Sequence, residues 1–188
     1  YAKTEQGYNA PMGMISVYSW LKNRGFDVDL IDTQFGDYTA ESLKQKLAAE
    51  AYDVVAMSVY TPTADYAFQT AQIVREALPN CKIVMGNIHV TTLPELSMEQ
   101  CPEIDFIVRH EAEFPFDEFL VALSEGNETW EKIDGLAFRR NGEVVINKQR
   151  PFIGDLDDLP VGIYADLDLS RYVPHPTQYV VLPNYTFL

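Results

Sequence analysis

Four short stretches of this sequence gather side chains able to bind or polarise a ligand. Ser58, Tyr60 and Thr61 lie in the first, and Asn87, His89, Thr91 and Thr92 in the second. Arg109, His110, Glu111 and Glu113 form the third, and Gly13 follows Asn9-Ala10-Pro11-Met12 in the fourth. Hydroxyls, amides and small residues at such positions suit a large polar ligand that must come close to the backbone. Taken singly, each is also an ordinary turn or cap residue; their joint placement points to a site. Several chemistries are excluded. No two glycines stand at G-x-G spacing, so neither a dinucleotide fingerprint nor a phosphate-cradling P-loop exists. No serine sits in a G-x-S-x-G elbow. His110-Glu111-Ala112-Glu113 would need a histidine at position 114 to form H-E-x-x-H, and Phe114 stands there. No catalytic residue and no metal ligand is therefore assigned, although His89 with His110 leaves a metal reading open.

The elements that must position these residues follow from periodicity. Phe26–Asp32, Asp53–Val59, Lys82–Met85 and Ile104–Val108 read as strands. Between them run helical stretches: Leu43, Leu47 and Ala51 behind a Thr39 cap, and Ala67, Ala71, Val74 and Leu78 stopped by Pro79-Asn80. A short helix is expected near Glu95–Gln100, and another through Phe116, Phe119 and Leu123. Strands apolar on both faces, alternating with helices, predict an α/β fold with a doubly wound parallel sheet. In such sheets ligands bind beyond the carboxyl ends of the strands, where the loops Asp32–Asp37, Ser58–Thr63, Gly86–Leu93 and Arg109–Phe114 converge. Asn141-Gly142 between two apolar runs marks an appended β-hairpin. The sequence divides at 1–127, an α/β domain, and 128–188, a hairpin followed by an irregular, Asp- and Pro-rich linker.

The chain has 188 residues, enough for one domain at roughly 150 residues apiece. Fourteen basic against 28 acidic residues give a net charge of −14, which argues against nucleic-acid and anionic-membrane partners. No stretch is long and apolar enough for a membrane span. Cys81 and Cys101 cannot staple a scaffold of this size, so a reducing, cytoplasmic setting is expected, with both thiols in packing roles.

Five segments, in order, resemble one family. Pro11-Met12-Gly13-Met14 is similar to the P-P-L-G-L that opens the cobalamin-binding domain of radical S-adenosylmethionine enzymes. Asp53–Thr63 is similar to its D-V-V-G-I-S-x-x-T-P-T, Lys82–His89 to K-V-V-L-G-G-x-H, and Asp105–Glu113 to D-F-V-V-R-G-E-G-E. The hairpin from Gly135 to Asn147, with Asp158-Leu159-Pro160, continues the match. The resemblance implies a flavodoxin-like (Rossmann-like) domain of strand order 2-1-3-4-5 that holds cobalamin over the strand ends. It implies that Ser58 and Thr61 contact the nucleotide tail and that Gly86-Asn87 lets it approach the backbone. Gly13 and the loop Arg109-His110-Glu111 would lie near the corrin, and Tyr60 and His89 join the same cofactor-binding set. Asn87 and His110 stand where the family's motifs carry glycine, and the D-x-H-x-x-G motif of classical cobalamin modules is absent.

The implied parent is a radical enzyme of methyltransferase or oxidoreductase class acting on a small-molecule substrate. Its [4Fe–4S] cluster and S-adenosylmethionine belong to a barrel in the same parent chain. The barrel's C-x-x-x-C-x-x-C motif is missing here, so this chain is not catalytic by itself. Two other readings compete: a structural or substrate-capping domain that binds no corrin, and a receiver-like signalling domain. The second is disfavoured because Tyr60-Thr61-Pro62 stands where a phosphoacceptor aspartate belongs. A further expectation concerns the first strand, which is central in the implied order yet is not found ahead of the Met14 helix. Its slot, between 26–32 and 53–59, would be filled by residues preceding Tyr1 or by Tyr179–Leu182, from the same chain or a swapped neighbour. The likeness of Asn9-Ala10-Pro11 to the loop after that strand favours the former.

Overall fold

A computed structural model describes residues 7–173 and 175. The chain divides into two compact units, one built from the residues up to Phe35 and from Leu159 onward, the other from Gly36–Asp158.

The larger unit holds the sheet. Strands β1 (Val54–Ser58), β2 (Lys82–Gly86) and β3 (Phe106–Val108) are parallel neighbours, and β4 (Leu136–Arg140) and β5 (Glu143–Ile146) extend the sheet antiparallel beyond β3. Leu136 pairs with Val108 and Phe138 with Phe106, so the hairpin expected from Asn141-Gly142 is the far edge of the sheet. Both turn residues have positive φ, 52° and 86°, as a two-residue type I′ turn demands.

Alternation along the strands divides two cores. Ile83, Met85, Ile107 and Ala137 join Leu43 and Leu47 of α2 (Ala40–Glu50), Ala71 and Val74 of α3 (Ala64–Ala77), and Met98 of α5 (Pro94–Gln100). On the opposite face Phe106 meets Phe138, Trp130 and Phe119 of α6 (Glu113–Ser124), with Phe106–Phe119 ring centroids 4.6 Å apart and Phe119–Trp130 5.4 Å. Coverage on both sides is what the doubly wound reading requires. Thr39 caps α2 as expected: its hydroxyl accepts from Ser42 N at 3.1 Å, while the Ser42 hydroxyl accepts from Thr39 N.

The amino ends of β2 and β3 are tied by one side chain. Arg75 of α3 donates to the carbonyls of Pro79, Cys81 and Glu103 and to Asp105 Oδ2, and that same carboxylate oxygen accepts Ile83 N at 2.8 Å. Cys81 and Cys101 are free and buried. Burial holds their thiols protonated, pushing them up to about 11 and about 12 respectively.

The smaller unit is organised on α1 (Met12–Asn23). The irregular stretch after Leu159 is bolted to it. Ser19 Oγ accepts Ile163 N at 2.7 Å, Tyr18 donates to Asp166 at 2.5 Å, and Tyr172 donates to Asp32 at 2.7 Å. Burial, with Asp166 as acceptor, raises Tyr18 to about 12. Phe35 packs between Tyr8 and Tyr172, with the Arg171 guanidinium 3.9 Å from its centroid.

One expected strand does not form. Residues 26–32 carry no strand, because a single extended segment needs a ladder partner and none runs beside it among the described residues. The outer edge of β1 likewise has no neighbour among the described residues. Tyr179–Leu182, weighed above for the empty position, lies outside them.

Candidate functional site

Parallel strands place their carboxyl ends on one side, and three of the expected loops leave the sheet there. In register, Ser58 at the end of β1 stands opposite Gly86 at the end of β2. Pairing continues one step past the strands, since Val59 N donates to Gly86 O and His89 N to Val59 O. Asn87 and His89 are thereby held against the first loop.

Asn87 Nδ2 donates to Ser58 Oγ at 2.9 Å, linking the two strand ends. Asn87 Oδ1 accepts Ile88 N at 2.6 Å, capping the short helix α4 (Ile88–Thr92), a segment expected to be loop. His89 Nδ1 and Thr61 Oγ1 share a hydrogen bond at 3.3 Å, and the Phe68 ring lies 6.0 Å from the imidazole. His89 Nε2 is buried with no hydrogen-bond partner, which is costly unless a ligand supplies one. Thr61 belongs to a 3-10 turn whose preceding residue, Tyr60, accepts from Thr63 N through its carbonyl and is 55% exposed. Ile88, beside Asn87, is 57% exposed. A Cβ at Gly86 would meet the Val108 carbonyl oxygen at 3.4 Å, an ordinary contact distance.

The third loop joins the second through Thr91, whose hydroxyl accepts His110 N at 3.1 Å. Arg109 donates from Nη1 to Asn147 O, while its Nε is buried without a partner. The His110 ring meets Phe152 edge-on at 5.7 Å. Glu111 Oε2 accepts Ile153 N at 2.6 Å, which seats the segment following β5 against the site. Phe152, 63% exposed, and Asn147, which also donates to the Trp130 and Ile133 carbonyls, are site components that sequence reasoning missed. Gly13 belongs to the first turn of α1 in the other unit, where a Cβ would meet nothing within 4 Å.

Backbone conformation accounts for the two departures from glycine. Ala51, Asn87, His110 and Asn141 are the non-glycine residues at positive φ among the described residues. Asn87 and His110, at φ 81° and 65°, therefore occupy turns that glycine enters freely. Asn87, with ψ −178°, lies in a region almost restricted to glycine, at a cost on the order of 1–3 kcal/mol.

Hydrogen-bonding side chains at the carboxyl ends of a parallel sheet, flanked by exposed apolar ones, are the features of a ligand-binding α/β module. The family model for the B12 binding domain matches residues 2–120, and the chain belongs to that family. It is 34% identical over 162 residues, 86% of its length, to an uncharacterized methyltransferase of Pyrococcus horikoshii, covering 35% of that protein. It is 32% identical over 164 residues, again 86% of its length, to the anaerobic magnesium-protoporphyrin IX monomethyl ester cyclase of Synechocystis, covering 32% of it. The chain thus spans about a third of the length of these curated relatives. Its fold matches the cobalamin-dependent S-adenosylmethionine radical enzyme OxsB, solved with aqua-cobalamin and S-adenosylmethionine, at a TM-score of 0.68 and 22% identity. That match covers 82% of this chain and 21% of OxsB. The flavodoxin-like fold expected from the motifs is therefore the fold observed.

The residues present fit cobalamin. Its nucleotide tail needs hydrogen-bonding groups, and Ser58, Thr61 and the unpartnered His89 Nε2 are groups of that kind gathered after β1 and β2. Its corrin needs apolar surface alongside, which Tyr60, Ile88 and Phe152 present. Among the described residues no helix is long and apolar enough to cross a membrane, and no cluster of three metal-ligating side chains exists.

Proposed function

We propose that this chain holds cobalamin for a radical S-adenosylmethionine enzyme of methyltransferase or oxidoreductase class, and performs no chemistry alone. The observation that carries the reading is the group formed by Ser58, Thr61, Asn87 and His89 at the paired ends of β1 and β2, with a buried imidazole nitrogen awaiting a partner. Ser58 and Thr61 hold the nucleotide tail, and His89 Nε2 gains from it the hydrogen bond that the protein does not supply. Tyr60, Ile88 and Phe152 exclude water from one side of the corrin, and Arg109 with Glu111 anchors the loop beneath Phe152. Cobalamin supplies, when bound, a cobalt centre that can carry a methyl group. The partner is a radical S-adenosylmethionine barrel of the same parent chain, which brings the iron–sulfur cluster and meets a small-molecule substrate. Similarity to OxsB and to the methyltransferase and cyclase relatives supports that arrangement. The two buried, free thiols support a reducing, cytoplasmic setting.

Replacing Ser58 and Thr61 together by Val tests the placement. Leaving ligand groups unpaired at two positions should remove about 1–3 kcal/mol of binding, about a five- to 150-fold weaker Kd for hydroxocobalamin. The titration is followed by quenching of tryptophan fluorescence. An unchanged Kd in a folded double variant would place the tail elsewhere.

A further inference from the structure

Asn87 is an anomaly at the centre of the site. It occupies a glycine-like conformation, φ 81° and ψ −178°, that L side chains rarely adopt. Nothing about capping α4 requires this, since a serine or aspartate in ordinary extended backbone caps a helix without strain. What the conformation achieves is placement: the amide reaches back from the end of β2 across to Ser58 at the end of β1. Its Oδ1 is fixed on Ile88 N, so the carboxamide is held at both ends. The side chain thus forms a bar between the two paired strand ends. Two residues further on, His89 holds a buried nitrogen without a hydrogen-bond partner.

We propose that Asn87 is an internal gate, occupying the position of the ligand's tail and taking up the Ser58 oxygen until a nucleotide-bearing corrinoid displaces it. This inference rests on the cobalamin reading of the site and adds the element that sets its affinity and selectivity. The bar opposes only the part of the ligand that competes for the Ser58 hydroxyl. A complete cobalamin must break the Asn87–Ser58 hydrogen bond and swing the carboxamide out, whereas a corrinoid lacking the nucleotide tail rests on the rim and leaves it closed. Asn87 therefore lowers the advantage that the tail would otherwise confer.

The test compares hydroxocobalamin with cobinamide, the tail-less corrinoid, on the 188-residue chain. Wild type, Asn87→Gly and Asn87→Ala are each titrated and followed by the visible spectrum, with apo-protein melting recorded alongside. Asn87→Gly, which removes the bar and suits the backbone, should bind hydroxocobalamin about 5- to 50-fold more tightly and leave cobinamide affinity unchanged. Asn87→Ala, which removes the bar but keeps the unfavourable φ, should show the same selective gain with a lower melting temperature. Equal tightening for both corrinoids, or no change for hydroxocobalamin, would overturn the gate while leaving the cobalamin reading intact. Weaker hydroxocobalamin binding by Asn87→Gly would make Asn87 a ligand contact instead. If neither corrinoid binds any of the three proteins, the cobalamin reading itself falls, and the gate with it.

Discussion

Arg75 offers the most quantitative test of how the site is aimed. Two of the three site loops leave β2 and β3 at their carboxyl ends, while Arg75 and Asp105 fix the same strands at their amino ends. Replacing Arg75 by Leu removes the donors to Pro79 O (3.0 Å), Cys81 O (2.7 Å), Glu103 O (3.0 Å) and Asp105 Oδ2 (2.7 Å). The guanidinium and carboxylate side chains are 29% and 31% exposed, so water partly replaces what is lost. Asp105 keeps its hydrogen bond from Ile83 N, but part of its desolvation is no longer offset. All four have the ionised guanidinium as donor and would contribute about 1.5–3 kcal/mol each if buried. With the discount for exposure and for water replacing the lost partners, the expected loss is about 3 kcal/mol. For a chain of this size that lowers Tm by about 6–12 °C. Urea unfolding followed by circular dichroism should show the same loss as a lower midpoint with unchanged slope. Arg75→Lys, retaining charge but not the planar fork, should fall between the two. A loss below about 1 kcal/mol for Arg75→Leu would refute the view that this joint holds the amino ends of β2 and β3 together.

The buried acids set the behaviour at high pH. Cys81, Cys101 and Tyr18 are raised from 9.0, 9.0 and 10.0 to about 11, 12 and 12, so the unfolded chain releases these protons before the folded one does. Their stabilisation is full below about pH 9 and is lost as pH climbs towards 12. Melting temperature should therefore be flat near neutrality and fall through that window, with the Cys81→Ala/Cys101→Ala variant showing a shallower fall. Iodoacetamide at pH 8 should leave both thiols unmodified until the protein is unfolded; rapid labelling of the folded protein would contradict their burial.

The parallel core was legible because β1, β2 and β3 are short apolar runs bounded by helix signals, and the loops after them followed directly. Asn141-Gly142 announced the hairpin, since positive φ at two consecutive residues has few solutions. What local sequence could not carry was partnership. The alternation of Val28 and Leu30 with Asp27 and Asp29 looks like a strand, yet strand formation depends on a neighbour that no local pattern reveals. The antiparallel docking of β4 on β3, the four-way reach of Arg75, and the closure of the linker by Ser19, Tyr18 and Asp32 are long-range contacts of the same kind. Helix α4, five residues without a periodic signature, was hidden inside a loop motif. Within the site, Ser58, Thr61, Asn87 and His89 were legible from their positions after strands. Phe152 and Asn147 were not, because the fold returns the hairpin's far end to the third loop.

Retention of cobalamin by the isolated chain tests the central claim most directly. The chain is incubated with excess hydroxocobalamin, desalted, and its visible spectrum compared with its protein content. Equimolar corrinoid eluting with the protein, its bands shifted from those of free hydroxocobalamin, is the predicted result. A folded protein emerging colourless, with all corrinoid in the small-molecule fraction, would contradict it.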